Sequence, residues 1–486
     1  MLRTSPKNIA ILIGLILIAW GVFRAVSGLR NWQETKALTR TPKTSQALLA
    51  PVIADPIAAP LVADTSRFLL GGVQMNEPDQ DVWIRSLIES GMNTVEVTTY
   101  AHQGRWSDNN LWFPRVIDEQ GLIEEVRVAK AYGMRVVLIL RLQLNHGFEE
   151  NDFLWHGLIF PKSEFLLHLW FQEYRRYMKQ WATFAQENGV DVLVLGSEMN
   201  ALFATRFVDQ LPQLHEYYLN PKKRNRYKEK VIRHGTDLSA DQFPVETQKH
   251  FTTLPGYLDR EIDAQRAWAA TCAFSDSTDS VLEVNKRRAT LNYYWERLID
   301  EARYYYKGKL TIAANFDNYH EVKFWHKLDY IGINAYFPLR KLRDGKPSPE
   351  KFRRKWERIL DDIEKFREEM EITDVPVLFT ELGYTEYTGS TLTPWQGSGF
   401  SLLEELERDS LIIWKKQPQD FSERTMAVQA LREAVKQKKF PLAGILYWKL
   451  TTDPEKLQYD PFAIHIGKQS TDRIQDELGR FLISDF

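Results

Sequence analysis

The chain has 486 residues, 44% of them hydrophobic and 13% aromatic, enough to bury a large core. A formal net charge of −2 with both signs well mixed excludes the basic footprint of a nucleic-acid-binding protein. The single cysteine, Cys272, excludes an internal disulfide framework and a cysteine-based zinc site.

Residues 8–23, NIAILIGLILIAWGVF, form an uninterrupted apolar run behind Arg3 and Lys7. Extended to residue 28, with Arg24 able to snorkel, the run approaches the ~20 residues that cross a bilayer. It is long for a signal peptide, and no small-x-small cleavage site follows closely. The expectation is an uncleaved transmembrane helix that anchors the chain in the lipid bilayer through residues 8–28. The basic lead keeps the N-terminus cytoplasmic, which puts the rest of this single-pass cell-membrane protein on the periplasmic or extracellular side. Residues 29–64 carry Ala, Pro and Thr without a sustained period and read as a semi-extended linker.

From residue 65 to 486 short apolar runs alternate with helix-length segments. The runs are RFLLGGV, NTVEVTTY, MRVVLIL, VDVLVLG, KLTIAANF, LDYIGINAY, VPVLFTE and LAGILYW. They are continuously apolar, as in a parallel sheet buried on both faces. Among the intervening helices, the segment from Ser348 has a cap, Pro349 in its first turn, and one face of Phe352, Trp356, Ile359, Leu360, Ile363 and Phe366. Eight such units predict an α/β fold, a (β/α)8 TIM barrel. No glycine-rich dinucleotide loop follows the first run, which disfavours an open doubly wound sheet. About residues 204–284 form a long insertion after the fourth strand, rich in Lys, Arg, Tyr and His; loops of that length are usually functional.

In such a barrel the C-terminal ends of the strands converge on one site. Those ends supply Thr99 and Tyr100, Asn145 and His146, then Ser197, Glu198 and Asn200. Later strands add Asn315, Asn334 with Tyr336, Glu381 and Trp448. Only two of these are acids, Glu198 and Glu381, on strands that face each other across a barrel of eight. Two carboxylates among amides, hydroxyls and aromatic platforms are what glycosidic hydrolysis requires. Trp106, Trp155 and Trp395 fall in strand-following loops, where flat rings can stack on sugars. No His-x-x-x-His pair or ligand-type cluster argues for a metal, and no cofactor is called for.

Glutamates ending strands four and seven resemble the arrangement in clan A of the retaining glycoside hydrolases. The strings VLVLGSEMN, LTIAANF, DYIGINAYFPL and PVLFTELGY are similar to glycoside hydrolase family 113, whose characterised members are β-mannanases. The resemblance implies Glu198 as acid/base, Glu381 as nucleophile, Tyr336 as donor to the nucleophile and Trp448 as floor of the cleaved-sugar subsite. Much of the clan carries Asn immediately before the acid/base; this chain has Ser197. For these roles Glu381 should be held ionised and Glu198 protonated. The expected function is a membrane-anchored retaining endo-β-glycosidase acting on a mannan-like, exported or cell-surface polysaccharide. The alternative is a catalytically weak barrel that binds glycan, or partners in a polysaccharide-export or cell-envelope assembly.

Overall fold

A computed structural model describes residues 67–205, 278–341, 344–395, 400–405, 410–416 and 418–483, with isolated residues between 222 and 268. The expected anchor at 8–28, the linker at 29–64 and most of the insertion lie outside the described residues. Among the described residues, no helix is long and apolar enough to cross a membrane.

Eight parallel strands make the barrel: β1 (Leu69–Gln74), β2 (Thr94–Gln103), β3 (Arg135–Leu144) and β4 (Val192–Ser197), then β5 (Lys309–Asn315), β6 (Ile331–Asn334), β7 (Val377–Leu382) and β8 (Leu442–Thr451). Each pairs in parallel with its sequence neighbour, and β1 pairs with both β2 and β8, so the sheet closes on itself. All eight predicted runs are strands of this barrel. Their continuous apolarity has the expected cause, burial on both faces. One set of side chains, including Val137, Ile139, Val192, Val194, Leu378 and Leu446, forms a cluster separate from the larger core between strands and helices. Their neighbours Val136, Leu138, Leu193 and Phe379 belong to that larger core.

The helices are α1 (Gln80–Glu89), α2 (Gln120–Ala131), α3 (Glu164–Glu187), the short α4 (Asn200–Phe203), α5 (Thr278–Tyr305), α6 (Pro349–Glu369), α7 (Phe421–Lys438) and α8 (Arg473–Ile483). Asp79 caps α1 and Ser163 caps α3 through backbone N–H groups. Helix α6 buries the whole predicted apolar face, but Ser348 makes no side-chain cap hydrogen bond; Pro349 leaves one fewer N–H to satisfy there. Helix α5 takes up the last residues of the 204–284 span. A two-stranded antiparallel pair, Phe400–Glu405 with Ser410–Lys416, lies between β7 and α7.

Candidate active site

Glu198 follows β4 directly. The β4–β5 register shifts between Val194 and Ser197, and the Glu198 N–H donates to the Ala313 carbonyl at 2.9 Å. Its φ of 54° is left-handed, a conformation that costs a non-glycine residue about 1–3 kcal/mol and concentrates at functional sites. The bulge and this turn bring the acid out of the strand at the barrel mouth.

Glu381, near the end of β7, is 3% exposed and held on both oxygens. Arg141 Nη1 from β3 lies 2.6 Å from Oε1, and Asn334 Nδ2 from β6 donates to the same oxygen at 2.9 Å. The Tyr336 hydroxyl donates to Oε2 at 2.6 Å. Thr380 donates to the Asn334 carbonyl oxygen at 2.8 Å, which turns the amide NH2 toward Glu381. Ser197 Oγ lies 3.3 Å from both Arg141 Nη1 and Asn334 Nδ2, so it is tied into the same network. Trp448 on β8 lies 4.7 Å from the Arg141 guanidinium, ring face to cation, and its peptide bond to Lys449 is cis.

The other predicted positions are used differently. Asn315 donates to Asn200 Oδ1 at 3.3 Å, linking the ends of β5 and α4. Asn145 accepts from the Gly147 N–H, and His146 Nε2 lies 2.9 Å from the Leu154 carbonyl. Both of these side chains bond within their own loop. Trp106 is buried and packs near Trp268; Trp155 and Trp395 are partly exposed, Trp395 stacked on Phe316.

Three residues absent from the sequence-based set complete the site. Arg141 has been described. Behind it, buried Glu96 on β2 lies 3.0 Å from Arg141 Nη2, while its second oxygen has no hydrogen-bond partner among the described residues. His156, in the turn after β3, brings Nε2 to 3.2 Å from Glu198 Oε2.

These contacts set the charges. Burial pushes the Glu96 carboxyl up to about 8, against the pull of Arg141, so at neutral pH Glu96 holds a proton. The fixed charge of Arg141 then has Glu381 as its anionic partner, the carboxyl with three donors rather than one. Burial and the nearby Glu198 charge raise Glu381, opposed by Arg141 and Tyr336. Burial also acts to raise Glu198, but the hydrogen bond to His156, together with Arg141 and Asn334, outweighs it and leaves Glu198 below its ordinary range. The site therefore tilts opposite to the expected order, because His156 faces the acid expected to carry a proton. Among the described residues, no group of three His, Cys, Asp or Glu side chains is arranged to hold a metal ion.

A closed barrel that presents carboxylates from its fourth and seventh strands at one mouth has the layout of a glycosidase. The sequence matches the model of glycoside hydrolase family 113 over residues 73–206 and 279–414, more than half the chain, with the insertion left out. The chain belongs to that family and is a retaining glycoside hydrolase. Among solved structures it is similar to a family 113 β-mannanase from Alicyclobacillus acidocaldarius in complex with ManMIm, at 16% identity and a TM-score of 0.51, covering 86% of this chain and 96% of that one. A second family 113 β-1,4-mannanase structure aligns at 17% identity and a TM-score of 0.52, covering 86% of this chain and 99% of that one. At such identities the likeness is one of fold. No curated protein matches the sequence.

Proposed function

We propose that the protein is an endo-acting β-glycosidase that cleaves a mannan-like or other β-linked polysaccharide, with Glu381 as nucleophile and Glu198 as acid/base. The observation that carries this reading is the environment of Glu381: a guanidinium, an amide and a phenol fix both its oxygens beside a second acid. One Glu381 oxygen attacks the anomeric carbon while Glu198 passes its proton to the departing glycosidic oxygen, giving a covalent glycosyl-enzyme. Glu381 is then uncharged, the Glu198 pKa falls further, and Glu198 takes a proton from the water that releases the sugar. Trp448 on β8, whose ring also meets the Arg141 and Lys449 cations, is the aromatic floor proposed for the cleaved sugar.

The solved relatives named as β-mannanases favour a β-mannoside bond. A barrel that only binds glycan or export partners gives no reason to spend backbone strain on Glu198. The apolar run at 8–28 supports anchorage in a cell membrane, with the barrel on the non-cytoplasmic side where exported glycans pass. The test is to supply the full chain, solubilised in detergent, with a panel of β-linked polysaccharides. Internal cleavage of mannan into short oligosaccharides is expected; release of single sugars from chain ends, or no cleavage of any β-linked glycan, contradicts the reading. Release of the protein from membranes by a carbonate wash contradicts the anchor.

A further inference from the structure

The first turns of α6, with Leu339, Arg340, Asp344 and Lys346 before it, line an open cavity of about 420 Å³ that no part of the mechanism uses. Its lining carries six cations, Arg340, Lys346, Lys351, Arg354, Lys355 and Arg358, and one acid, Asp344. In a chain with 63 basic and 65 acidic residues this is a strong local bias. Four of the cations recur at positions 351, 354, 355 and 358, the spacing that puts them on one helix face. The helix begins at Pro349, so its positive N-terminal end adds to them.

The cations are only partly neutralised. Arg340 is buried against Glu423, at 3.0 Å, and Arg354 meets exposed Glu350 at 3.5 Å. Lys351 donates to the Asp344 carbonyl, and the Asp344 carboxylate accepts from the Lys341 N–H. Nearby Glu357 is engaged by Arg353, which also pairs with Glu350. Lys346, Lys351, Lys355 and Arg358 form no ion pair among the described residues. Like charges gathered around a concave surface repel one another, and an anion seated there relieves that repulsion.

Position narrows the choice of anion. The loop leaves β6 at the catalytic mouth, where Tyr336 bonds Glu381. Arg340 lies four residues on, at most about 14 Å of extended chain. The wall of the cavity at Arg340 therefore lies within reach of the barrel mouth where the proposed substrate lies. We propose that the cavity binds the anionic groups of a charged glycan, so that the polysaccharide this protein handles carries carboxylates beyond the cleaved bond. This rests on the proposed glycosidase reading for the identity of the ligand, not for the existence of the anion site.

Calorimetric titration of the detergent-solubilised full chain tests it, with hexa-galacturonate, neutral mannohexaose and soluble dihexanoyl-phosphatidylglycerol as probes. The charged hexamer should bind more tightly than the neutral one. Its affinity should fall at least tenfold from about 50 mM to about 300 mM salt, because exposed charges are screened. The Lys351→Glu/Lys355→Glu/Arg358→Glu variant should lose a similar factor while its turnover of a neutral aryl β-glycoside is unchanged. The milder Lys355→Gln/Arg358→Gln pair should shift affinity in the same direction and guards against a folding defect. Equal affinity in wild type and variants, no binding of the charged hexamer, or a cation-dependent affinity for the lipid alone overturns the proposal. If the hexamer binds through these cations but no glycoside is hydrolysed, the anion site stands and the glycosidase reading falls.

Discussion

His156 Nε2 sits 3.2 Å from Glu198 Oε2, and this contact helps to hold below its usual range the carboxyl proposed to bring a proton to the glycosidic oxygen. On that proposal His156 acts as a brake on the general acid. Glu198 is competent only while protonated, so a lowered pKa moves the alkaline limb of the pH–rate profile to lower pH. His156→Ala removes the largest of the lowering contacts and leaves burial opposed only by Arg141 and Asn334, so Glu198 rises. The alkaline limb of kcat/KM should move to higher pH in this variant; an unmoved limb would show that His156 does not set the acid.

Glu96 is the second device behind the site. Its carboxyl is raised from 4.5 to about 8 by burial, so the folded protein binds a proton there that the unfolded chain has released. Folding is thus progressively penalised as pH rises from 4.5 to about 8, and the penalty is constant beyond. Glu96→Gln keeps the neutral form at every pH. Its thermal stability relative to wild type should improve steadily across that window, and at pH 7 its kcat should remain close to wild type. A stability difference independent of pH would mean that Glu96 is ionised in the folded protein.

Tyr336 donates to Glu381 at 2.6 Å from a buried position. A hydrogen bond to a charged group contributes about 1.5–3 kcal/mol, which corresponds to roughly 10–100-fold in rate when it is lost at the reacting carboxylate. Tyr336→Phe should lower kcat by that factor with little change in KM. A loss confined to KM would make Tyr336 a substrate contact instead.

Much of this architecture was legible in the sequence. The eight strands were visible because a barrel strand is apolar on both faces, and Glu198 and Glu381 stood out as acids at the ends of such runs. Arg141 and Glu96 left a signal that was passed over: each is a charge inside an apolar strand. Arg141 shares the residue parity of Val137 and Ile139, which belong to the smaller core cluster, so it points into the barrel. His156 left none, since its approach to Glu198 depends on the path of a loop between β3 and α3. The direction of the Glu198 shift depends on the same loop, since His156 supplies part of the pull on it. Ser348 shows the opposite failure, a good capping residue whose hydroxyl goes unused.

Trp268 ties the insertion to the site. It is 3% exposed, and its Nε1 donates to the Leu158 carbonyl at 2.7 Å, two residues beyond His156. Trp268→Ala removes a large buried ring, a change that typically costs about 3–5 kcal/mol. The melting temperature should fall, and KM should rise as the loop bearing His156 loses its support. If KM is unchanged while stability falls, the insertion does not shape the cleft.

Chemical rescue of the two glutamate variants tests the assignment of roles most directly. Both should lose turnover of polysaccharide. Glu198→Ala should still form the glycosyl-enzyme from an aryl β-glycoside with a good leaving group, which departs without a proton. Added azide then attacks that intermediate from the vacated side, and the account predicts a β-glycosyl azide. An α-glycosyl azide from Glu198→Ala would place the nucleophile at Glu198 and contradict it.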